Sequence, residues 1–331
     1  MYRKINQIKE INGLFLLDKK LYTFLSDRQV LGEFNLEGEL LWNTAPSPIN
    51  YKYYIDLQYI FFYKKYKETD FIVLDRATKN IIHESKIELD ISDNYFFKNT
   101  LYSFVNDKLI IYSIESFSIL QVRDDFVRGV IMLPISNFII SKEESNIYIY
   151  TFFSLLWQQN IQDFFPGEEE LSILEIHSYK DTFIIIARVG IVCLSQKDGS
   201  LIWKCNYYAR TMEIVGHYGY VCTSLSFYRV DLDTGEFYNY DRKYSRLPDF
   251  EYNGKTYWPS GHRVVYHKGL LWYDVYTSKH PFIIAIDPET ANYRWIHEIT
   301  DSNGYIENIK FYDDKMFVTD TDDNLFIYEE E

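Results

Sequence analysis

Alanine is scarce in this chain, with six residues out of 331, at positions 45, 77, 187, 209, 285 and 291. Alanine is the best helix former, so its scarcity speaks against a helical bundle. Cysteine is scarce too. Cys193, Cys205 and Cys222 are odd in number and far apart, which fits neither a disulfide framework nor the paired spacing of a zinc site, and agrees with a reducing compartment. Long hydrophobic runs are missing: Val130 to Leu133 and Phe183 to Ala187 are strand-sized, well short of the roughly 18 residues that span a bilayer. The opening MYRKINQIKEINGLFLLDKK interrupts its apolar residues with polar ones every few positions, so no signal peptide is read and a cytoplasmic location is expected. Basic residues are outnumbered, 34 against 48 acidic. The net charge of −14 repels phosphate backbones, which argues against a nucleic-acid ligand and for a basic partner.

What the chain has in abundance is aromatic residues, 31 Tyr, 24 Phe and 6 Trp, within an apolar fraction of 47%. These suit pleated, half-buried surfaces, so the class is all-β with ample core. A repeat organises it. FIIAIDPETANYRWIHEI gives a strand, a polar turn opening at Asp287 and a second strand containing Trp295. The same frame recurs at VDLDTGEFYNY (Asp231, Thr234, Gly235), IVCLSQKDGSLIWK (Ser195, Gly199, Trp203) and FIVLDRATKNIIHE (Asp75, Thr78, His83). Weaker copies lie at FNLEGELLW (Asn35, Trp42), IYSIESFSILQ (Ser113) and YTFFSLLW (Tyr150, Trp157). Equivalent positions 35, 75, 113, 150, 195, 231 and 287 are separated by 40, 38, 37, 45, 36 and 56 residues, close to the period of a four-stranded propeller blade.

In the turn, Asp and Thr side chains bond the backbone while Gly takes the left-handed position, and the following aromatic packs between blades. Trp42, Trp157, Trp203 and Trp295 are assigned that docking role, as is His83, with Asp75, Asp231 and Asp287 holding the turns. A last partial copy, IENIKFYDDKMFVTDTDDNLFIYEEE, supplies three strands near 306–311, 315–319 and 324–328. The spare N-terminal strand, about 2–8, is expected to complete that sheet and close the ring, leaving no open edge. Residues 1–331 then form a single propeller of eight blades, or seven if the copies at Ser113 and Tyr150 share one sheet.

The signature D-x-x-T-G-x-x-x-W, seen best at Asp287, Thr290 and Trp295 and at Asp231, Thr234 and Gly235, resembles the quinoprotein-type (PQQ-like) β-propeller repeat along essentially the whole chain. The enzymatic branch of that family implies a leader, a vicinal cysteine pair over the quinone and calcium-binding residues. None of these is placed here, so the resemblance implies the non-enzymatic branch, without cofactor.

Two insertions break the period, and long loops on a rigid scaffold are where binding residues concentrate. The first, residues 158–171, joins Phe164 and Phe165 to Glu168, Glu169 and Glu170. The second, residues 241–262, carries Tyr244, Arg246, Phe250, Tyr252, Tyr257 and Trp258, the composition of interface hot spots. Both are read as partner-binding loops on the side of the links between blades, the alternative being flaps folded over blade edges. His262 and His267 are spaced to point to opposite faces of a strand, so they are read as turn or surface histidines and no metal is assigned. Asp320, Asp322, Asp323 and Asn324 offer oxygens of the kind calcium takes, but without the Gly and closing Glu of a calcium loop they are read as a solvated turn.

No nucleophile elbow, phosphate-binding Gly-rich loop or zinc-protease helix is found, and no catalytic residue is assigned. The expected function is protein binding, most specifically an immunity protein that neutralises a basic bacterial toxin by stoichiometric covering. The alternatives are a general assembly scaffold, or an enzyme or sugar-binding protein with its site in the axial funnel.

Overall fold

The computed structural model describes residues 1–44, 53–63, 71–85, 95–97, 100–105, 108–124, 131–135, 138–151, 154–168, 171–223, 226–240, 247–277 and 279–331. They build the eight four-stranded antiparallel blades of an all-β propeller. Blades 1 to 7 cover residues 11–43, 53–85, 95–123, 131–160, 173–205, 211–239 and 264–298. Blade 8 takes three strands from residues 306–330 and its fourth from Tyr2–Ile8. Eight is therefore the number, and Ser113 and Tyr150 belong to separate sheets. Among the described residues the only helical element is a 3-10 turn at Ile161–Phe164. Contacts group the chain into two compact units, residues 1–128 with 311–331, and residues 129–310.

The apolar pattern explains strand order within a blade. Second and third strands such as Thr182–Ala187, Gly190–Ser195 and Phe282–Ile286 are buried along nearly their whole length, so they read as continuous apolar runs rather than as alternation. Fourth strands such as Leu40–Asn43 and Leu201–Cys205 are largely exposed. Just before the turn into the fourth strand, the register between third and fourth slips by a bulge in six blades, at Phe34, Leu74, Tyr112, Tyr150, Leu194 and Ile286. A bulge adds twist, and a repeated one twists each sheet alike.

The core lies between successive sheets. One layer runs from Ile140, Ile147 and Ile149 of blade 4 to Ile176, Phe183 and Leu194 of blade 5. Others join blade 5 to 6, 6 to 7, 8 to 1, 1 to 2 and 2 to 3. In blade 8 the N-terminal strand pairs antiparallel with the last, Gln7 opposite Phe326 and Tyr2 opposite Glu330. The turn that other blades place between third and fourth strands is there replaced by the two chain ends, where the Glu331 amide donates to the Met1 carbonyl over 2.7 Å.

Candidate functional site

Seven turns between third and fourth strands share one chemistry. Asp75 Oδ1 accepts from the amide and hydroxyl of Thr78 (2.7 and 2.8 Å), Asp231 Oδ1 from the Asp233 and Thr234 amides, and Asp287 Oδ1 from the Glu289 and Thr290 amides. Asn35, Ser113, Thr151 and Ser195 accept from turn amides in the same way. The Arg294 guanidinium holds the Asp287 carboxyl down at about 2, helped by the Thr290 amide. In blade 4 the side chain that holds the turn is Thr151, one residue beyond Tyr150.

In blades 1, 2, 4 and 5 an aromatic after the turn reaches the next blade's turn. Trp157 Nε1 donates to the Gln196 carbonyl (2.9 Å) and Trp203 Nε1 to the Leu232 carbonyl (3.0 Å). Their rings lie over Gly199 and Gly235, both at positive φ, where a Cβ would stand 2.7 and 2.8 Å from the indole. Trp42 packs half-buried in the layer between blades 1 and 2, with the Lys79 ammonium 4.9 Å from its ring. His83 stacks on Phe117 at 4.2 Å and 8°. In blade 8 Asn6 occupies this place, donating to the Glu37 carbonyl over 2.7 Å. Trp295 is half-buried within blade 7, 5.5 Å from Trp272 and stacked on His297 at 5.2 Å.

The first insertion is largely a flap. Its strand continues through Trp157 to Asn160, whose side chain caps the 3-10 turn by accepting from the Gln162 amide. Phe165 is 5% exposed and fills the space above Gly190, and Phe164 is half-buried against the same layer, its carbonyl accepting from Lys204 Nζ at 2.7 Å. The expected partner-binding role of Phe165 is thus corrected: it lies in an insertion that breaks the period, but the missing side chain at Gly190 gives it a berth at home. An isolated glycine inside the apolar run RVGIVCL was the available sign. Glu168 is exposed, and Glu169 and Glu170 lie outside the described residues.

The second insertion adds a hairpin to the blade frame, Phe250–Tyr252 paired with Lys255–Tyr257. Phe250 is 3% exposed, and Phe250, Tyr252 and Tyr257 all lie with ring centroids within 5.6 Å of Phe282 in blade 7. Trp258 follows at 53% exposure. Tyr244 and Arg246 lie outside the described residues. Between this hairpin, the residues that follow blade 7's second strand and the end of its last strand opens a cleft of about 610 Å³, lined by Lys255, Tyr257, Trp258, Tyr276, Lys279 and Glu298 among others. The repeat marks none of the last three, and only Lys279 falls in the lengthened segment TSKHP of the seventh unit.

Three further groups are structural in geometry. Glu175 on the first strand of blade 5 accepts from His177 Nε2 and from the Met212 amide of blade 6, both at 3.0 Å, and Glu213 of blade 6 accepts from the Tyr266 amide of blade 7 at 3.1 Å. Burial pushes the Glu175 carboxyl up, but its hydrogen bonds outweigh that and hold it low, whereas burial of Glu213 prevails and raises it. Each carboxylate thus fastens neighbouring strands. Asp320 and Asn324 are buried, and Asp320 accepts from the Asp322 and Asn324 amides at 3.0 and 2.9 Å, so this turn is less solvated than its composition suggests. His262 precedes the strand Val264–His267 and meets Arg210 at 3.0 Å. Among the described residues no three His, Cys, Asp or Glu are placed to hold a metal ion.

No protein-family model and no curated protein match the sequence. Solved structures do. BamB from Moraxella catarrhalis superposes with a TM-score of 0.66 at 9% identity over 99% of this chain and 100% of its own. The dihydro-heme d1 dehydrogenase NirN in complex with DHE gives 0.62 at 9% identity over 95% of this chain and 73% of its own. Hsv2 of Kluyveromyces lactis gives 0.54 at 9% over 85% and 94%. At such identities the likeness speaks to architecture alone, and that architecture is the β-propeller.

Proposed function

We propose that this chain is a protein-binding β-propeller of the non-enzymatic branch and, more finely, a cytoplasmic immunity protein that covers a basic bacterial toxin in a one-to-one complex. The observation that carries the reading is Trp258: a large aromatic side chain 53% exposed, directly beyond a hairpin that Phe250, Tyr252 and Tyr257 anchor around Phe282. Aromatic residues held rigidly on a surface are the usual anchors of protein interfaces, because little rotamer freedom is lost on docking. The net charge of −14 favours encounter with a basic partner. The test is co-expression with the product of a neighbouring gene that is toxic on its own. Rescue of growth and an equimolar complex are expected; a toxin that kills equally with and without the chain removes the immunity reading.

A further inference from the structure

The cleft beneath Trp258 runs against the charge of the chain around it. The chain carries 14 more acidic than basic residues, yet folding brings Lys255 from the hairpin and Lys279 from the segment after blade 7's second strand to one cleft whose only acidic lining residue is Glu298. Both lysines are exposed, and among the described residues neither forms an ion pair with Glu298 or any other carboxylate. Two ammonium groups from separate segments, set beside Tyr257, Tyr276 and Trp258, make a surface with a polar and an apolar half. A lone cation would meet two like charges there. A purely apolar group would strip water from the lysines without replacing it. An anion attached to an apolar body satisfies both halves, with the carboxylate between the ammonium groups and the body over the indole.

Resting on the protein-binding reading, we infer that this cleft takes a carboxylate carried next to an apolar or aromatic side chain on the partner's chain. The carboxylate comes either from an Asp or Glu side chain or from the chain's C-terminus. Long-range attraction to a basic partner and a local site of opposite sign are compatible: the first sets how often the partner arrives, the second which segment seats and in what register.

The test uses the full chain labelled with 5-fluorotryptophan, its Trp258 fluorine signal assigned by the Trp258→Phe variant. N-acetyl-Phe-Glu-amide presents a side-chain carboxylate and N-acetyl-Ala-Phe a C-terminal one; N-acetyl-Phe-Gln-amide and N-acetyl-Phe-Lys-amide are the controls. A saturable shift of the Trp258 signal with one or both carboxylate peptides at millimolar concentration is expected, and which one acts identifies the source. Binding should weaken about tenfold or more with the Gln peptide and in Lys255→Glu and Lys279→Glu, and should tighten in Glu298→Gln, where one repulsion is removed. Equal or better binding of the Gln or Lys peptide, of the neutral sugar maltotriose, or no saturable shift with either carboxylate peptide overturns the inference. If Trp258→Ala abolishes partner capture while neither peptide moves the signal, the protein-binding reading stands and this one falls.

Discussion

Trp157 of blade 4 lies across Gly199 of blade 5, its indole nitrogen bonded to the Gln196 carbonyl three residues earlier. Trp203 repeats the arrangement on Gly235 and Leu232 one blade further on. The glycine is required twice over at such a turn, by its positive φ and by the ring above it.

Gly235→Ala is therefore expected to cost more than Gly216→Ala. Both glycines have positive φ, but a Cβ at 216 meets nothing within 4 Å, whereas at 235 it meets the Trp203 ring. The backbone term alone is about 1 kcal/mol, and the clash adds about 1–3 kcal/mol. Urea denaturation of the two variants reads the difference; equal costs would mean the indole is not held on the turn.

Asp274 is fully buried and accepts from the amides of His262 (2.9 Å) and Arg263 (2.5 Å). Burial raises its pKa to about 6, the two amides pulling the other way without cancelling it. A carboxyl whose folded pKa lies above its unfolded one favours the folded state most below the unfolded value, and loses that contribution as pH rises through the folded value. Compared with Asp274→Asn, the parent chain should thus lose stability between about pH 4 and pH 6. His262, its pKa lowered to about 4 by burial and the nearby arginines, titrates with the opposite sign in the same range, so the difference between variant and parent is the quantity to follow. Melting temperatures of both proteins at several pH values check it; parallel curves would refute it.

Phe165 and Trp258 were indistinguishable in the sequence as aromatics of two insertions, and the structure separates them. Phe165→Ala is expected to destabilise by about 3–5 kcal/mol, as for a core phenylalanine, and Trp258→Ala by no more than about 0.5 kcal/mol. Chemical denaturation decides; similar losses would place Trp258 inside the fold.

The three cysteines are buried and unpaired, and burial raises each thiol, Cys193 and Cys205 to about 11 and Cys222 well above its usual value. Thiolate is the reactive form, so Ellman's reagent at pH 8 should label none in the native protein and all three in guanidinium. Rapid native labelling would contradict the burial.

The repeat was legible because its turn chemistry is local: an Asx or Ser/Thr side chain reaches amides two to four residues on, and that spacing survives in sequence even where Thr, Gly and Trp do not. Closure through Tyr2–Ile8 followed by arithmetic, since the last copy was one strand short. Features that depend on contacts between distant segments were not legible. Gly190 accommodates Phe165, Asn6 stands where other blades use an aromatic, and Lys255, Lys279 and Glu298 meet only through the packing of a hairpin on blade 7. Exposure is likewise a property of the fold: Phe165 and Trp258 are both aromatic residues of period-breaking insertions, yet one is 5% and the other 53% exposed.

The proposed docking surface is centred on Trp258, just beyond the hairpin that packs on blade 7. The most direct measurement is affinity purification of the chain from its native host, parent beside Trp258→Ala, with the mass and stoichiometry of the eluted species read by light scattering and mass spectrometry. Docking through Trp258 predicts an equimolar complex with one basic protein for the parent, and its loss in a variant that melts at the same temperature. A parent that elutes alone, or a partner retained equally by both, would contradict it.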